Sequence, residues 1–176
     1  MYFQKSEVKG KTALVTGAGK GIGKASAIAL AEAGADLIIL SRTKSDLEKV
    51  KKEIIKLKRK CVIYDCDVSN FEELRSIFNQ ISKLDIIVNN AGTNRPEHFT
   101  KINKEDMDYV VDLNLKAAFH VAQMGAKVMT KQKNRKSIGG SIINVSSQLG
   151  KVGAPKRSIY NMTKFGIEGL TRGMAL

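Results

Sequence analysis

The chain has no tryptophan, only two cysteines and two histidines, and no apolar run long enough to span a membrane. Cys61 and Cys66 lie in one short apolar segment whose spacing points them to opposite faces of a strand, so we expect neither a CxxC redox pair nor a mutual disulfide. His98 and His120 have no Cys or His cluster around them, which argues against a structural metal site. The first residues lack the apolar stretch of a signal peptide, and the expected location is the cytoplasm.

Positive charge is in excess, with 30 Lys and Arg against 17 Asp and Glu and a net charge of +13. Such a charge makes nucleic acid a partner to consider. The densest basic runs lie at 51–60, on an amphipathic helix pattern, and at 131–136, in a loop-like segment. Neither run interleaves aromatic residues for base stacking, and no helix-turn-helix or zinc pattern occurs. We therefore interpret the lysines as solvated and do not expect nucleic acid as a partner.

Strand and helix patterns alternate along the chain. Apolar runs at 12–16, 36–40, 61–68, 85–90 and 140–147 alternate with helical patterns at 24–34, 45–57, 69–81, 103–129 and from 158 to the end. Continuously apolar strands are typical of a sheet covered on both faces. The pattern predicts a doubly wound parallel α/β sheet of the Rossmann type, in a single domain over residues 1–176.

Three helix starts carry capping signals. Ser45 with Glu48, and Ser69 with Glu72, match the capping box, and Asn103 is a candidate cap for the long fourth helical pattern.

A glycine-rich segment, TGAGKGIG at 16–23, lies between the first strand and the first helix. Gly17 permits a tight turn, and Gly21 and Gly23 let the backbone approach a pyrophosphate at the positive end of the helix. The spacing differs from the commoner GxGxxG, although Gly19 partly fills the gap, and it does not match a Walker phosphate loop. We expect nucleotide binding; the alternative is an ordinary tight turn.

The end of the second strand indicates which dinucleotide binds. Ser41 and Arg42 stand where an NAD-specific fold usually has an acidic residue, and Lys20 in the glycine loop is a second cation. A guanidinium makes strong charge-assisted contacts with phosphate, so this pair favours the 2′-phosphate of NADP over NAD. The alternative is that Arg42 is a solvated loop residue.

The segment YNMTK places Tyr160 four residues before Lys164, so a helix would put both side chains on one face. A phenol has a pKa near ~10, and a neighbouring cation lowers the pKa of a phenol. From the residues alone, the pair is either a tuned proton donor or two residues on a solvated helix.

Six segments in order resemble the short-chain dehydrogenase/reductase family over nearly the whole chain. They are TGAGKGIG (16–23), CDV (66–68), NNAG (89–92), LNL (113–115), INVSS (143–147) and YNMTK (160–164). The resemblance implies hydride transfer between NADP(H) and a carbonyl or secondary alcohol, with 3-oxoacyl thioesters, sugars or polyols, and small ketones as candidate substrates. It also implies a homodimer or homotetramer formed through the helices near 103–129 and 158–176.

The resemblance implies roles for four catalytic residues. Tyr160 corresponds to the acid/base, and Lys164 to the residue that holds the nicotinamide ribose and lowers the pKa of the phenol. Ser147, which lies 13 residues before Tyr160, is preferred over Ser146 for polarising the carbonyl. Asn114 corresponds to the asparagine of a water-mediated proton relay.

The residues expected to bind the cofactor come from the glycine loop, from strand ends and from the catalytic helix. Asp67 and Val68 would lie near the adenine, and Asn89, Ala91 and Gly92 would line the cleft. The full predicted set is Gly17, Lys20, Gly21, Ile22, Gly23, Ser41, Arg42, Asp67, Val68, Asn89, Ala91, Gly92, Tyr160 and Lys164.

The chain departs from the family at residues 169–176, where it ends within a helical pattern although family members ordinarily continue. We therefore expect a fragment or a truncated gene product, with the fifth strand at an aggregation-prone sheet edge. On this expectation the chain alone is unstable or inactive.

A second interpretation is a catalytically inactive nucleotide- or nucleic-acid-binding module of the same fold. Taken singly, Ser146 and Ser147 could simply end a strand, and Asn114 could be a buried polar residue. The intact set of Asn114, Ser147, Tyr160 and Lys164 argues against this interpretation.

Overall fold

The computed structural model describes residues 8–133 and 139–175. Its strands are β1 (Thr12–Thr16), β2 (Asp36–Ser41), β3 (Cys61–Asp65), β4 (Ile86–Asn89) and β5 (Ser141–Asn144). Its helices are α1 (Gly21–Glu32), α2 (Lys44–Lys56), α3 (Phe71–Asn79), α4 (Lys104–Val111), α5 (Ala117–Lys131) and α6 (Ser158–Met174). Within the described residues, none of the helices has the length and apolar character needed to cross a bilayer.

The strands form one parallel sheet in the order β3-β2-β1-β4-β5. This order confirms the predicted doubly wound α/β fold. From β1 the chain builds outward through β2 and β3, then returns to the other side of β1 with β4 and β5. The carboxyl ends of β1 and β4 therefore flank the switch point at which ligands bind in such sheets.

Both faces of the sheet are buried, as the continuously apolar strands predict. On one face, Leu14, Leu40 and Ile87 of the strands pack against α3 and α5, which contribute Leu74 and Val121 to this cluster. On the other face, Val15 and Ile39 of the strands pack against α1 and α2, which contribute Ala27, Leu47 and Val50. Alternate side chains of each strand point to opposite faces, so one apolar strand supplies both layers.

β5 is an outer strand of the sheet, and the side chain of Ile143 on it is 48% exposed. This placement agrees with the expected sheet edge. The predicted basic loop at 131–136 falls partly outside the described residues.

The capping box predicted at the start of α2 is wrong. The helix begins at Lys44 after Thr43, and no side-chain hydrogen bond caps it. Ser45 and Glu48 are therefore both inside the helix rather than at the two positions of a capping box.

The cap predicted for α3 is wrong by one residue, whereas the cap predicted for α4 is confirmed. Asn70 caps α3, with its Oδ1 accepting from the Glu73 amide at 3.2 Å. Ser69 instead bonds the Asp67 carboxylate through its amide and its hydroxyl. Asn103 caps α4 and accepts from the Asp106 amide at 2.7 Å.

The fourth helical pattern, predicted at 103–129, contains an irregularity. A π-helical turn at Asp112–Lys116 joins α4 to α5, with the Ala117 amide bonded to the Asp112 carbonyl. Single π turns within α-helices occur frequently at functional sites. This turn includes Asn114, so its position is consistent with a functional role for that residue.

Candidate active site

The loop between β1 and α1 is built around glycine. Gly17 has φ +64°, a conformation that side-chain-bearing residues rarely adopt, and a Cβ there would lie 2.9 Å from Nδ2 of the Asn90 side chain. A Cβ on Gly23 would collide with the Gly17 carbonyl oxygen. These glycines let the start of α1 pack directly on the loop, so the helix N-terminus faces the crevice beside β1.

A cleft of about 330 Å³ opens at this crevice. Its lining comprises Gly17, Gly19, Lys20, Ile22, Ser41, Arg42, Thr43, Asp46, Cys66, Asp67, Val68, Asn90, Ala91, Gly92 and Leu113. Nine of the predicted cofactor residues are thus brought together, from the glycine loop to the segment after β4. The cleft is lined by glycines and lies at the N-terminus of α1, so it fits the phosphates and adenosine of a dinucleotide. The other five lie outside this lining: Gly21 and Gly23 at the start of α1, Asn89 on β4, and Tyr160 and Lys164 on α6.

The structure places Asn89 away from the cleft. Asn89 is buried and donates to the Ala118 carbonyl at 2.7 Å and to Asn144 Oδ1 at 3.1 Å. The side chain that faces the cleft is that of Asn90, which donates to the Thr16 carbonyl at 2.9 Å. The alternation of a strand explains the difference, since adjacent residues point in opposite directions. Sequence reasoning missed Asn90, although it belongs to the same NNAG segment.

Arg42 lies at the end of β2 with its side chain 57% exposed. Its Nη1 donates to the Tyr109 hydroxyl at 2.9 Å and lies 3.7 Å from the Asp67 carboxylate. The hydrogen bond to Tyr109 is the main cause that raises the pKa of Arg42. Lys20 is exposed and lines the same cleft, as does Asp46, which sequence reasoning missed.

Lys164 is buried, with only 6% of its surface exposed. Its Nζ donates to the Val145 carbonyl at 2.8 Å and lies 5.6 Å from the centre of the Tyr160 ring. Burial lowers the pKa of Lys164 from its ordinary value. The pair lies one turn apart on α6, as the spacing predicts, and the lysine ties that helix to the end of β5.

The two serines follow that same strand end. Ser147 lies at the start of a 3₁₀ turn, and its Oγ accepts from the Leu149 amide at 3.1 Å. The Ser146 Oγ is buried without a hydrogen-bond partner among the described residues. Ser147 thus lies two residues beyond the carbonyl that Lys164 contacts.

Asn114 is 2% exposed and joins the segment after β4 to α6. Its Nδ2 donates to the Thr93 carbonyl at 2.8 Å and to Thr163 Oγ1 at 3.2 Å, and its Oδ1 accepts from the Thr93 amide at 2.7 Å. Every polar atom of this buried amide is therefore bonded. Sequence reasoning missed Thr93 and Thr163, although Thr163 belongs to the YNMTK segment beside Lys164.

Both cysteines are free and buried, Cys61 against α1 and α2 and Cys66 on the opposite face. Burial raises the pKa of Cys61 to about 11 and the pKa of Cys66 to about 12. At pH 8 the thiolate fraction of each buried cysteine is therefore much smaller than that of an ordinary thiol, and alkylation should be slower by about 100-fold or more.

We therefore expect iodoacetamide to label neither cysteine of the folded chain at a rate near that of a free thiol. Mass spectrometry of peptides over time measures this rate, and the chain unfolded in urea, where both sites should label fully, is the control. Rapid labelling of Cys66 before unfolding would contradict the buried environment described here.

The comparisons with known proteins agree with this arrangement. The family model of short chain dehydrogenase matches residues 11–176. The 3-oxoacyl-(acyl-carrier-protein) reductase of Thermotoga maritima is 36% identical over 172 residues, which cover 96% of this chain and 68% of the reductase. The L-xylulose reductase of Mus musculus is 35% identical over 167 residues, which cover 95% of this chain and 65% of that protein.

A solved structure gives the same result for the fold. Carveol dehydrogenase from Mycobacterium avium, in complex with NAD, superposes with a TM-score of 0.87 at 31% identity, covering 97% of this chain and 66% of the dehydrogenase. The chain spans about two thirds of the length of these relatives. The ordered motifs, the switch-point cleft and these matches together place the chain in the short-chain dehydrogenase family.

Proposed function

We propose that residues 1–176 form a single NAD(P)-binding Rossmann domain of an oxidoreductase that transfers a hydride between NADP(H) and a small-molecule carbonyl or secondary alcohol. The observation that carries this proposal is the pairing of Tyr160 with the buried Lys164 on α6, tied to the strand end before Ser147. A buried lysine with a lowered pKa beside a phenol is an arrangement expected of a functional site rather than of a solvated helix.

The proposed chemistry assigns one task to each side chain. When bound, the nicotinamide cofactor supplies the hydride. Reduction of a carbonyl leaves negative charge on its oxygen, which requires a proton and a hydrogen-bond donor. Tyr160 donates the proton, and the Ser147 hydroxyl donates to the same oxygen. The Lys164 ammonium favours the phenolate that remains and holds the ribose.

Asn114 is proposed to support this chemistry through its position. Its amide holds Thr163, the neighbour of Lys164, against the segment after β4. These bonds hold the π turn against α6. We propose that Asn114, by fixing the π turn next to Lys164, positions a water-mediated proton relay to Lys164.

The substrate class is best tested with a panel of carbonyl compounds. The names of the relatives describe one reductase of a 3-oxoacyl carrier-protein thioester and one of a ketose. We expect carbonyl-dependent loss of the nicotinamide absorbance of NADPH with at least one 3-oxoacyl thioester, ketose or small ketone. Nucleic-acid affinity that falls steeply with salt, without any such turnover, would instead favour the inactive binding module.

The proposed cofactor preference rests on Arg42 and Lys20, which line the same cleft as Ser41. Arg42→Ala should weaken NADPH binding about 10- to 100-fold, because it removes a charge-assisted contact to the 2′-phosphate. NADH, which lacks that phosphate, should bind within about twofold of the wild-type value. Titration by nicotinamide fluorescence measures both affinities.

Arg75→Ala is the matched control for this prediction. Arg75 pairs with Glu72 on the surface of α3, so its loss removes the same charge without altering the lining of the cleft. Equal weakening of NADPH and NADH by Arg42→Ala would contradict the preference for NADP.

Self-association as a homodimer or homotetramer is also proposed. Several large apolar side chains on α5 and α6 are exposed, namely Phe119, Met162 and Phe165. Such surfaces are typical of contacts between subunits, and light scattering would give the assembly size directly.

A further inference from the structure

Arg42 is joined to a residue from the opposite side of the cleft. Its Nη1 donates to the hydroxyl of Tyr109 on α4, 67 positions further along the chain, at 2.9 Å. Arg42 directly follows β2, whereas α4 follows β4, and these two strands lie on opposite sides of β1. The hydrogen bond therefore spans the crevice at the switch point. None of the six motifs includes Tyr109.

Tyr109 is itself held in place. Its ring is half-buried against the core cluster that contains Leu113 and Val121. The guanidinium of Arg95 lies 5.3 Å from the ring centre, and Arg95 Nε lies 3.7 Å from the Asp106 carboxylate. Because the core and a paired arginine both contact the ring, the hydroxyl presents an acceptor at a defined point.

The bond to Tyr109 restrains the Arg42 side chain. A side chain that is 57% exposed loses rotamer freedom when it binds a ligand, and that loss weakens binding. A guanidinium has five N–H donors, and the bond to Tyr109 uses one of them. The others remain available for a phosphate, while the Asp67 carboxylate lies 3.7 Å from Arg42 Nη1.

We propose that Tyr109 is a positioning residue that sets the Arg42 guanidinium for the 2′-phosphate of the cofactor. Tyr109 thereby adds to discrimination between phosphorylated and unphosphorylated dinucleotides without contacting the reacting atoms. The inference rests on the proposed NADP preference and assigns part of that preference to α4.

Tyr109→Phe tests the inference, because it removes the hydroxyl and retains the ring with its core and Arg95 contacts. We expect the dissociation constant of the 176-residue chain for NADPH to rise about three- to tenfold, and that for NADH to stay within about twofold. Tyr64→Phe, at another half-buried tyrosine, is the matched control and should change neither constant. In an Arg42→Ala background, Tyr109→Phe should have no further effect on NADPH, since the group it positions is gone.

Equal weakening of NADPH and NADH by Tyr109→Phe would overturn the inference, because it would show that the hydroxyl only supports the fold or the adenosine end. Unchanged NADPH binding by Tyr109→Phe would overturn it as well. Tighter NADPH binding would also overturn it, because it would show that Tyr109 competes with the phosphate for Arg42. If Arg42→Ala leaves the NADPH-to-NADH ratio unchanged, the proposed 2′-phosphate site itself is wrong and this inference falls with it. A ratio that responds to Arg42→Ala but not to Tyr109→Phe refutes the role of Tyr109 alone.

Discussion

Replacing Tyr160 with Phe should lower carbonyl reduction about 100- to 10,000-fold, the range that a positioned general acid contributes. The phenyl ring keeps its place over Lys164, but no proton donor remains for the oxygen that gains the negative charge. The Tyr160 hydroxyl has no hydrogen bond to another described residue, so its removal should leave the fold and the affinity for cofactor almost unchanged. Turnover and nicotinamide fluorescence, measured on the same preparation, separate the two effects.

Tyr64→Phe, which removes a hydroxyl from β3, is the control for nonspecific loss of activity. Thermal unfolding of both variants establishes that the fold is retained. Turnover within about tenfold of the wild type in Tyr160→Phe would exclude this residue as the proton donor and would direct attention to the serines after β5.

Replacing Lys164 with Met should lower turnover about 100- to 1,000-fold, as expected when one electrostatic group is removed from the reacting centre. Methionine retains an apolar stem of similar length inside α6. The ammonium that favours the phenolate is lost, and so is the group proposed to hold the ribose. We therefore expect weaker cofactor binding in this variant, in contrast to Tyr160→Phe.

The same variant has a distinct dependence of stability on pH. Burial lowers the pKa of Lys164 in the folded chain below its value of 10.5 in the unfolded chain. Below the folded pKa, the buried charge costs stability; between the folded pKa and 10.5, the unfolded chain binds more protons, and stability rises with pH. Relative to Lys164→Met, the wild type should therefore gain stability as the pH rises toward 10.5.

Urea unfolding of both chains at several pH values between 7 and 10.5 measures this difference. A difference in unfolding free energy that stays constant over this pH range would show that Lys164 is not desolvated in the folded chain.

Strands and catalytic spacing were predictable from local patterns. Continuous apolar runs predict strands buried on both faces. Residues four apart in a helix share one face in any surroundings, so the pairing of Tyr160 with Lys164 was predictable. The helix caps were less predictable. Ser69 and Asn70 are adjacent and equally able to cap, and the choice depends on where packing of Phe78 and Leu74 begins the helix.

Features set by tertiary contacts were not predictable. The π turn around Asn114 leaves the apolar periodicity of the long helical pattern intact, so periodicity alone gives a single helix. The bond between Arg42 and Tyr109 depends on how two halves of the chain meet across β1. The sequence could not show whether Asn89 or Asn90 lines the cleft, because that depends on which face of β4 borders it.

The most direct test of the account is a titration of the 176-residue chain with NADPH and, separately, with NADH, followed by nicotinamide fluorescence. The chain has no tryptophan, so the cofactor itself must report binding. The cleft formed by the glycine loop, Lys20 and Arg42 predicts saturable binding of both dinucleotides, with NADPH the tighter ligand. Failure to bind either dinucleotide would contradict the assignment of this cleft as the cofactor site.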